Sequence, residues 1–204
     1  MSGPGEEAAP EPGLAPEDEA RAAVYGLIAR LFYAPPDQAV LGQVLHAGAF
    51  EGSQEPIALA WRDLMEACRH AFPVMLENEH TDLFVGTGKA EVTPYLTHYT
   101  IQYATDNPLV ELRQQLDRWG MRRKGNANEP EDHVAGVCEA MRMAIAVQHR
   151  DLAEQKAFFE RYLYSGGIAF CDAVTASAKA DFYGRVARFA REFLEVEREA
   201  FEMA

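Results

Sequence analysis

Apolar side chains recur at the spacing of an α-helix along almost the whole chain, and proline or glycine marks where each run begins or ends. The first run ends at Pro35-Pro36, because proline lacks an N–H and clashes with the preceding helical turn. Further helices are predicted over residues 37–48, 56–71, 74–86, 108–120 and 180–201. Alternating runs typical of strands are hard to find. The pattern therefore predicts an all-α fold, a single-domain helical bundle.

Composition divides the chain into a short tail and one folded region. Residues 1–15 are rich in proline, glycine, alanine and glutamate and have almost nothing to bury, so we predict a disordered acidic tail. The chain has 204 residues, 48% of them hydrophobic, and residues 16–204 can bury a core as one helical domain. The short, basic, glycine-containing stretch 121–128 is a candidate hinge within that domain.

The charge balance favours a basic partner. Six of the charges that make up the net −13 are the acids of residues 1–19, which leaves −7 for the remainder. This balance argues against nucleic acid and anionic membranes and suits a basic peptide. Acidity that serves only solubility is an equally common explanation.

Cysteine usage and the lack of targeting patterns indicate a cytoplasmic protein. Cys68, Cys138 and Cys171 are far apart and odd in number, so neither a disulfide framework nor a zinc site is indicated. The N-terminus lacks the basic and apolar regions of a secretory signal. No run approaches the roughly 18 apolar residues of a membrane span.

One helix is predicted to begin within residues 128–133 and to continue along an apolar stripe to Ile145. Pro130 suits a first turn, and Asn128 and Glu131 have the spacing of a capping pair. His133 is expected near the solvent-facing end of this helix, at the edge of its buried stripe. The carboxylates expected at the positive end of the helix dipole are those of Glu129, Glu131 and Asp132.

The stretch 91–107 is the most aromatic part of the chain. Its rings, those of Tyr95, His98, Tyr99 and Tyr103, lie on a segment of poor helix propensity. Rings with an apolar body and a polar tip suit the binding of a peptide, although core packing is their more frequent use.

Two blocks of sequence resemble the signatures of one chaperone family. Glu129-Pro130-x-Asp132-His133 resembles the E-P-x-D-H motif of the TorD/DmsD/NarJ family. Residues 81–86, with Leu83 and Phe84, followed by Pro94, Tyr95 and Tyr99, resemble the aromatic-x-x-Leu-Phe and Pro-Tyr block of that family. The blocks occur in the expected order, and the resemblance covers most of residues 20–200. It implies a helical bundle of the TorD/DmsD type.

The resemblance implies a cytoplasmic chaperone for the precursor of a molybdenum-containing oxidoreductase catalytic subunit. Such a chaperone often binds the twin-arginine signal peptide of its client and assists cofactor loading before assembly or export. The client types left open are formate dehydrogenase, dimethyl sulfoxide or trimethylamine N-oxide reductase, and nitrate reductase. No tightly bound cofactor or metal is expected, and transient contact with molybdenum cofactor or a guanine nucleotide stays open. The expected client- and signal-peptide-binding residues are Glu129, Pro130, Asp132, His133, Leu83, Phe84, Pro94, Tyr95 and Tyr99.

Two further expectations follow from the same resemblance. Family members occur as monomers and as domain-swapped dimers, so we expect a monomer with a minor swapped dimer. The family often has an H-L-x-x-W pattern where this chain has Tyr162-Leu163 and Gly166, so no role of that histidine or tryptophan can be transferred. The apolar helix face of residues 158–163 is expected to be interrupted at Tyr164-Ser165-Gly166-Gly167.

An enzyme is the alternative class of function. The chain has no H-E-x-x-H and no G-x-S-x-G motif, and Gly86-Thr87-Gly88-Lys89 lacks the glycine and the Ser or Thr that a phosphate loop requires. A small helical enzyme using Asp132, His133 and Glu129 for acid–base chemistry remains open. Neighbours on a helix point about 100° apart, however, so Asp132 need not touch His133.

Overall fold

A computed structural model of the chain describes residues 14–48, 52–86, 88–103, 106–122 and 129–204. Over these ranges the secondary structure is helical and includes no β-strand, which confirms the predicted all-α class. Residues 1–13 of the expected tail and residues 123–128 of the candidate hinge lie outside the described ranges. The α-helices are α1 (Pro16–Tyr33), α2 (Gln38–His46), α3 (Pro56–His70), α4 (Pro73–His80), α5 (Pro108–Arg118), α6 (Val134–Ala146), α7 (Leu152–Phe158), α8 (Ser165–Ala176) and α9 (Phe182–Met203).

Most helix boundaries follow the signals in the sequence. Prolines occupy the first turns of α1, α3, α4 and α5, where their missing N–H has no intrahelical partner. The Asp37 carboxylate caps α2 by accepting a hydrogen bond of 3.0 Å from the Val40 N–H. Across the described ranges, no helix combines the length and the apolar character that crossing a membrane requires.

The core lies where α1 packs along α6 and where α9 packs against α3 and α8. Gly26 allows the close approach of α1 to α6, since a Cβ there would lie 3.0 Å from the Arg142 Cδ. An aromatic cluster fills the centre, with ring centroids 5.0 to 6.2 Å apart. Its members are Phe32, Phe84, Phe170 and Tyr183.

A buried ion pair joins the first helix to the last. The Arg21 guanidinium donates hydrogen bonds of 2.8 and 2.9 Å to the two carboxylate oxygens of Glu197 on α9. The Tyr25 hydroxyl donates a third, of 2.9 Å, to the same carboxylate. Because Glu197 is only 3% exposed, these donors take the place of the water that would solvate an exposed carboxylate.

The expected interruption at residues 164–167 is wrong. The chain is helical without a break from α7 through the π-helical turn Phe159–Tyr164 into α8. The glycines serve packing instead: a Cβ on Gly166 would lie 2.9 Å from the Leu96 oxygen, and one on Gly167 would lie 2.8 Å from the Leu194 Cδ1. Neighbouring elements occupy the space that side chains would need. Close packing therefore explains the two glycines, although glycine has a low helix propensity.

The N-terminus of α9 is capped by a residue from another helix. The Asp181 carboxylate pairs with Arg185, and the Asp181 side chain makes no capping bond to the helix it precedes. Glu79, at the end of α4, instead accepts from the N–H groups of Asp181, Phe182 and Tyr183, at 2.8, 3.2 and 2.9 Å. One carboxylate thus satisfies three donors that the helix itself cannot satisfy.

Candidate functional site

The two signature blocks meet through their main chains. The Leu96 N–H donates to the Asp132 oxygen and the Val134 N–H donates to the Pro94 oxygen, each at 2.8 Å. These bonds form an isolated antiparallel bridge between Tyr95 and His133. Segments far apart in the sequence are therefore held at a fixed distance from each other.

Side chains reinforce this bridge. The Tyr95 hydroxyl donates a hydrogen bond of 2.7 Å to Glu129, and the Thr97 hydroxyl donates to the Asp132 carboxylate. The bond to Glu129, together with desolvation, raises the pKa of Tyr95 to about 12, so this tyrosine stays a donor at neutral pH. The rings of Tyr95 and His133 meet edge to face, with centroids 5.8 Å apart.

The predicted start of the signature helix is wrong. Helix α6 begins at Val134, and residues 130–133 form a turn closed by a bond of 3.2 Å from the His133 N–H to the Pro130 oxygen. The helix cap is His133, whose Nδ1 accepts from the Ala135 N–H at 3.1 Å. Asn128, the predicted cap, lies outside the described residues. The bridge to Pro94 and Leu96 engages the main chain of residues 132–134 and so delays the helix.

The ring of His133 is held neutral. Because Nδ1 accepts a hydrogen bond, the single proton of the neutral ring lies on Nε2. Desolvation lowers the pKa of His133, and the nearby Glu129 and Asp132 carboxylates only partly oppose that effect. The ring is 6% exposed, which corrects the expectation of a solvent-facing position.

Asp132 is also buried, at 3% exposure, rather than solvent-facing. One carboxylate oxygen accepts from Thr97, and the other accepts no hydrogen bond from the described part of the chain. Since Thr97 and Ala135 are the hydrogen-bond partners of Asp132 and His133 respectively, the two side chains do not form the bonded pair that acid–base chemistry would use. Substitutions of either residue are now expected to cost stability, because both are enclosed.

A cleft of about 780 Å³ opens beside the bridge. Its lining residues come from α1, α5, α6, the segment after α5 and residues 129–133, here called the signature turn, and half of them have small or apolar side chains. Its polar groups are four carboxylates, three guanidiniums, one tyrosine and His133. The lining residues are Gly26, Ala29, Arg30, Tyr33, Arg113, Leu116, Asp117, Met121, Arg122, Glu129, Pro130, Glu131, His133, Ala135, Gly136, Glu139, Ala140 and Met143.

The nine expected binding residues divide into two groups. Glu129, Pro130 and His133 line the cleft. The other six do not: Leu83, Phe84 and Pro94 are buried, and the Tyr99 hydroxyl donates to the Thr93 oxygen at 2.9 Å. Tyr95 and Asp132 belong to the two segments that the bridge joins, and so they hold the adjacent cleft residues in place. Leu83 is fully enclosed, and its main-chain oxygen accepts from the Val92 N–H at 2.9 Å.

Sequence reasoning missed the contribution of α1 and α5. No residue of α1 was among the expected binding residues, yet Arg30 and Tyr33 line the cleft, and the centroid of the Tyr33 ring lies 6.3 Å from that of His133. Arg113 of α5 reaches the Glu131 carboxylate at 2.8 Å. Tyr33, the last residue of α1, is 51% exposed, and the spacing of apolar residues in the sequence does not indicate this exposure. Across the described residues, no group of three or more potential ligand side chains could hold a metal ion.

Comparisons with known proteins agree on one family. A family model described as nitrate reductase delta subunit matches residues 51–171. The chaperone protein TorD of Vibrio cholerae serotype O1 is 26% identical over 137 residues, which cover 62% of this chain and 62% of that protein. The TorD of Aliivibrio fischeri is 27% identical over 90 residues, covering 43% of this chain and 41% of its own. The match thus spans about three fifths of the first relative and less of the second.

The fold has a counterpart among solved structures. The crystal structure of a redox enzyme maturation protein from Archaeoglobus fulgidus superposes with a TM-score of 0.54 at 18% identity. The superposition covers 93% of this chain and 99% of that one. At this identity, the likeness concerns the fold alone.

Proposed function

The chain belongs to the nitrate reductase delta subunit family, the family of NarJ and TorD, and on that premise we propose that it is a maturation chaperone for a redox enzyme. Its client is the precursor of a molybdenum-containing oxidoreductase catalytic subunit, which it holds in the cytoplasm until the cofactor is loaded. The client types remain formate dehydrogenase, dimethyl sulfoxide or trimethylamine N-oxide reductase, and nitrate reductase. In this proposal the protein is not an enzyme, and any contact with molybdenum cofactor or a guanine nucleotide is transient.

The observation that carries the proposal is the cleft at the signature turn. The lining combines apolar side chains, such as those of Ala29, Ala140 and Met143, with the carboxylates of Glu129 and Glu131. A twin-arginine signal peptide presents the complementary chemistry, since a pair of guanidiniums precedes an apolar stretch. Guanidinium groups pair well with carboxylates, and the burial of the apolar stretch supplies affinity. A volume of this size accommodates several side chains.

The bridge gives the cleft its rigidity. Glu129 is held by the Tyr95 hydroxyl, and the turn that carries Glu131 is fixed to the Pro94 segment through the main chain. A carboxylate that is already oriented loses less entropy on pairing with a ligand. The buried signature residues therefore contribute to binding by holding the turn in place.

Isothermal titration with a synthetic peptide tests the proposal. The peptide carries two arginines followed by about ten apolar residues, as in a signal sequence. Its matched control replaces both arginines with citrulline, which keeps the shape and removes the charge. We expect the arginine peptide to bind at least tenfold more tightly, and Glu129→Gln to weaken it about tenfold. Glu160→Gln, an exposed change outside the cleft lining, is the control variant.

Two results would count against this function. Equal affinities for the arginine and citrulline peptides would remove the role of the carboxylates. Turnover of a small substrate that depends on His133, without any peptide binding, would favour the acid–base alternative. Co-purification of the large subunit of a molybdoenzyme from the source organism would identify the client.

A further inference from the structure

Tyr33 presents an aromatic ring to the cleft instead of packing it into the core. It is the last residue of α1 and is 51% exposed, whereas its neighbour Phe32 is 1% exposed and belongs to the central aromatic cluster. The chain then leaves the helix in an extended conformation at Ala34, and the prolines at 35 and 36 restrict the backbone that follows. The main chain is therefore held on both sides of Tyr33, so the ring keeps its place in the cleft lining.

The exposed ring lies beside the carboxylate of the signature turn. The Tyr33 and His133 rings meet edge to face, with centroids 6.3 Å apart, and the Tyr95 ring meets the same histidine at 5.8 Å. The Glu129 carboxylate accepts from the Tyr95 hydroxyl and is close enough to His133 to oppose the lowering of its pKa. Tyr33 and Glu129 are thus both neighbours of His133, and both line the cleft.

The protein contains one complete example of a guanidinium held by a tyrosine ring and a carboxylate together. The Arg198 guanidinium lies 5.9 Å from the centroid of the Tyr164 ring and donates to a Glu195 oxygen at 3.1 Å. The Tyr164 hydroxyl donates to that same oxygen at 3.0 Å. A carboxylate that already accepts from a tyrosine therefore still accepts from an arginine, and Glu129 does not have to lose a partner to bind one.

The arginines that line the cleft are directed toward other groups. Arg30, one turn before Tyr33, lies 3.3 Å from the Asp37 carboxylate, and Arg113 lies 2.8 Å from that of Glu131. Within the described part of the chain, the rings that a guanidinium covers are those of Trp119, Tyr164 and Phe201. The exposed ring of Tyr33 is thus accessible to a guanidinium that a ligand supplies.

We propose that Tyr33 makes the cleft selective for arginine over lysine: the guanidinium of one client arginine stacks on the Tyr33 ring and donates to the Glu129 carboxylate. This inference rests on the proposed function and names the residue that gives it side-chain selectivity. A lysine ammonium also pairs with a carboxylate, but it is compact and strongly hydrated and has no flat face to stack on a ring. The carboxylate attracts either cation, and Tyr33 supplies the preference between them.

Isothermal titration with an arginine and a lysine peptide tests this selectivity. The lysine peptide is the arginine peptide described above with both arginines replaced by lysine. The parent protein should bind the arginine peptide about five- to tenfold more tightly than the lysine peptide. Tyr33→Leu should weaken the arginine peptide about three- to fivefold and the lysine peptide less than twofold, because leucine keeps an apolar side chain but offers no aromatic face.

Two further variants serve as controls. Tyr33→Phe retains the ring and removes only the hydroxyl, so it should keep the preference of the parent protein. Tyr103→Leu removes an exposed tyrosine outside the cleft lining and should leave both affinities unchanged. Circular dichroism checks that each variant keeps its helices.

The outcomes separate this inference from the proposed function. Equal affinities of the parent protein for the arginine and lysine peptides would overturn the inference, as would a Tyr33→Leu variant that weakens both peptides alike. The proposed function survives either result if the parent still prefers the arginine peptide over the citrulline peptide. Loss of that last preference would overturn the proposed function and this inference with it.

Nuclear magnetic resonance of the bound peptide tests the stacking directly. With isotopically labelled arginines, the side-chain protons of an arginine that lies over an aromatic face shift upfield through the ring current. We expect this shift for one arginine in the complexes with the parent protein and Tyr33→Phe, and its loss with Tyr33→Leu. Its absence in the complex with the parent protein would overturn the inference whatever the variants do.

Discussion

Gly166 and Gly42 show how differently two helical glycines are used. A Cβ on Gly166 would lie 2.9 Å from the Leu96 oxygen and 3.1 Å from the Leu96 Cβ, whereas the nearest atom to a Cβ on Gly42 is the His46 Nδ1, at 4.0 Å. The first position is closed by the backbone that carries the Pro-Tyr signature. The second is open.

The same substitution is therefore expected to have opposite effects at these positions. Gly166→Ala should lower the free energy of unfolding by about 1–3 kcal/mol, because the Leu96 segment must shift. Gly42→Ala should raise it by about 0.5–1 kcal/mol through helix propensity. Chemical denaturation followed by circular dichroism measures both. A stabilised Gly166→Ala variant would mean that the 94–97 segment yields without cost.

His133 is expected to make stability depend on pH in a defined direction. Its folded-state pKa is lowered, so below about pH 6.5 the unfolded chain takes up a proton that the folded ring refuses. The contribution of His133 to the free energy of unfolding is fully present above that pH and falls as the pH drops toward the folded-state pKa. His133→Asn retains an acceptor for the Ala135 N–H but cannot titrate in this range.

The free energy of unfolding should therefore decrease less between about pH 7.5 and about pH 5.5 in His133→Asn than in the parent protein. His80, whose pKa is also lowered by desolvation, titrates in both proteins, so the comparison measures His133 together with its electrostatic interaction with His80. An identical fall in both proteins would show that His133 is not the responsible group.

The site residues mark the limit of what the sequence could predict. Glu129, Pro130 and His133 were found because a motif names them, and they do line the cleft. The burial of Asp132 was missed because a helix start was assigned to residues that pair with Leu96 instead. Tyr33 and Arg113 were missed because their role depends on which helices pack beside the signature turn, and no local pattern records that.

At the level of elements, α4 and α9 are coupled by the Glu79 carboxylate. Glu79→Gln keeps one acceptor oxygen but loses the charge and the second acceptor, so we expect a loss of about 1–2 kcal/mol of stability. Glu77→Gln, an exposed change on the same helix, should stay within about 0.5 kcal/mol. Thermal melting compares the two. Equal melting temperatures for these variants would show that the cap contributes nothing.

Helix boundaries were predicted well where local chemistry decides them. Pro56 and Pro108 begin helices, as the sequence indicated, and Asp37 caps the helix that was predicted over residues 37–48. The predictions for the start of α6 and for the segment around Gly166 were wrong, because contacts from distant segments decide both. Whether a capping signal or main-chain pairing decides a boundary can be predicted only when the partner segment is known.

For the molecule as a whole, the first and last helices pack against the region that the family model matches. The family match covers residues 51–171, whereas α1 and α9 lie outside it and are joined by Arg21 and Glu197. Arg21→Met should cost about 3–5 kcal/mol, because it leaves a buried carboxylate with too few donors. Arg188→Met, which breaks an exposed pair with Asp63, should cost less than about 1 kcal/mol.

The double variant Arg21→Met/Glu197→Met distinguishes the causes of that loss. Removing both charges leaves no buried ion unpaired, but the buried Tyr25 hydroxyl then loses its acceptor, so Tyr25→Phe is added to both variants. With that change, urea denaturation should find the variant that lacks both charges more stable than the one that lacks only Arg21. The opposite order would mean that the ion pair contributes more than the cost of its desolvation.

The bridge between Tyr95 and His133 bears on the order in which the molecule folds. Its supporting bond joins Tyr95 and Glu129, 34 positions apart, while helices form from contacts three or four positions apart. Closing such a loop costs entropy that helix formation does not, so we expect the cleft to form after the helices and to be lost before them on heating. Under the proposed function, a newly made or slightly heated chain would then keep its helices but not its affinity for the client, and binding would require completed folding.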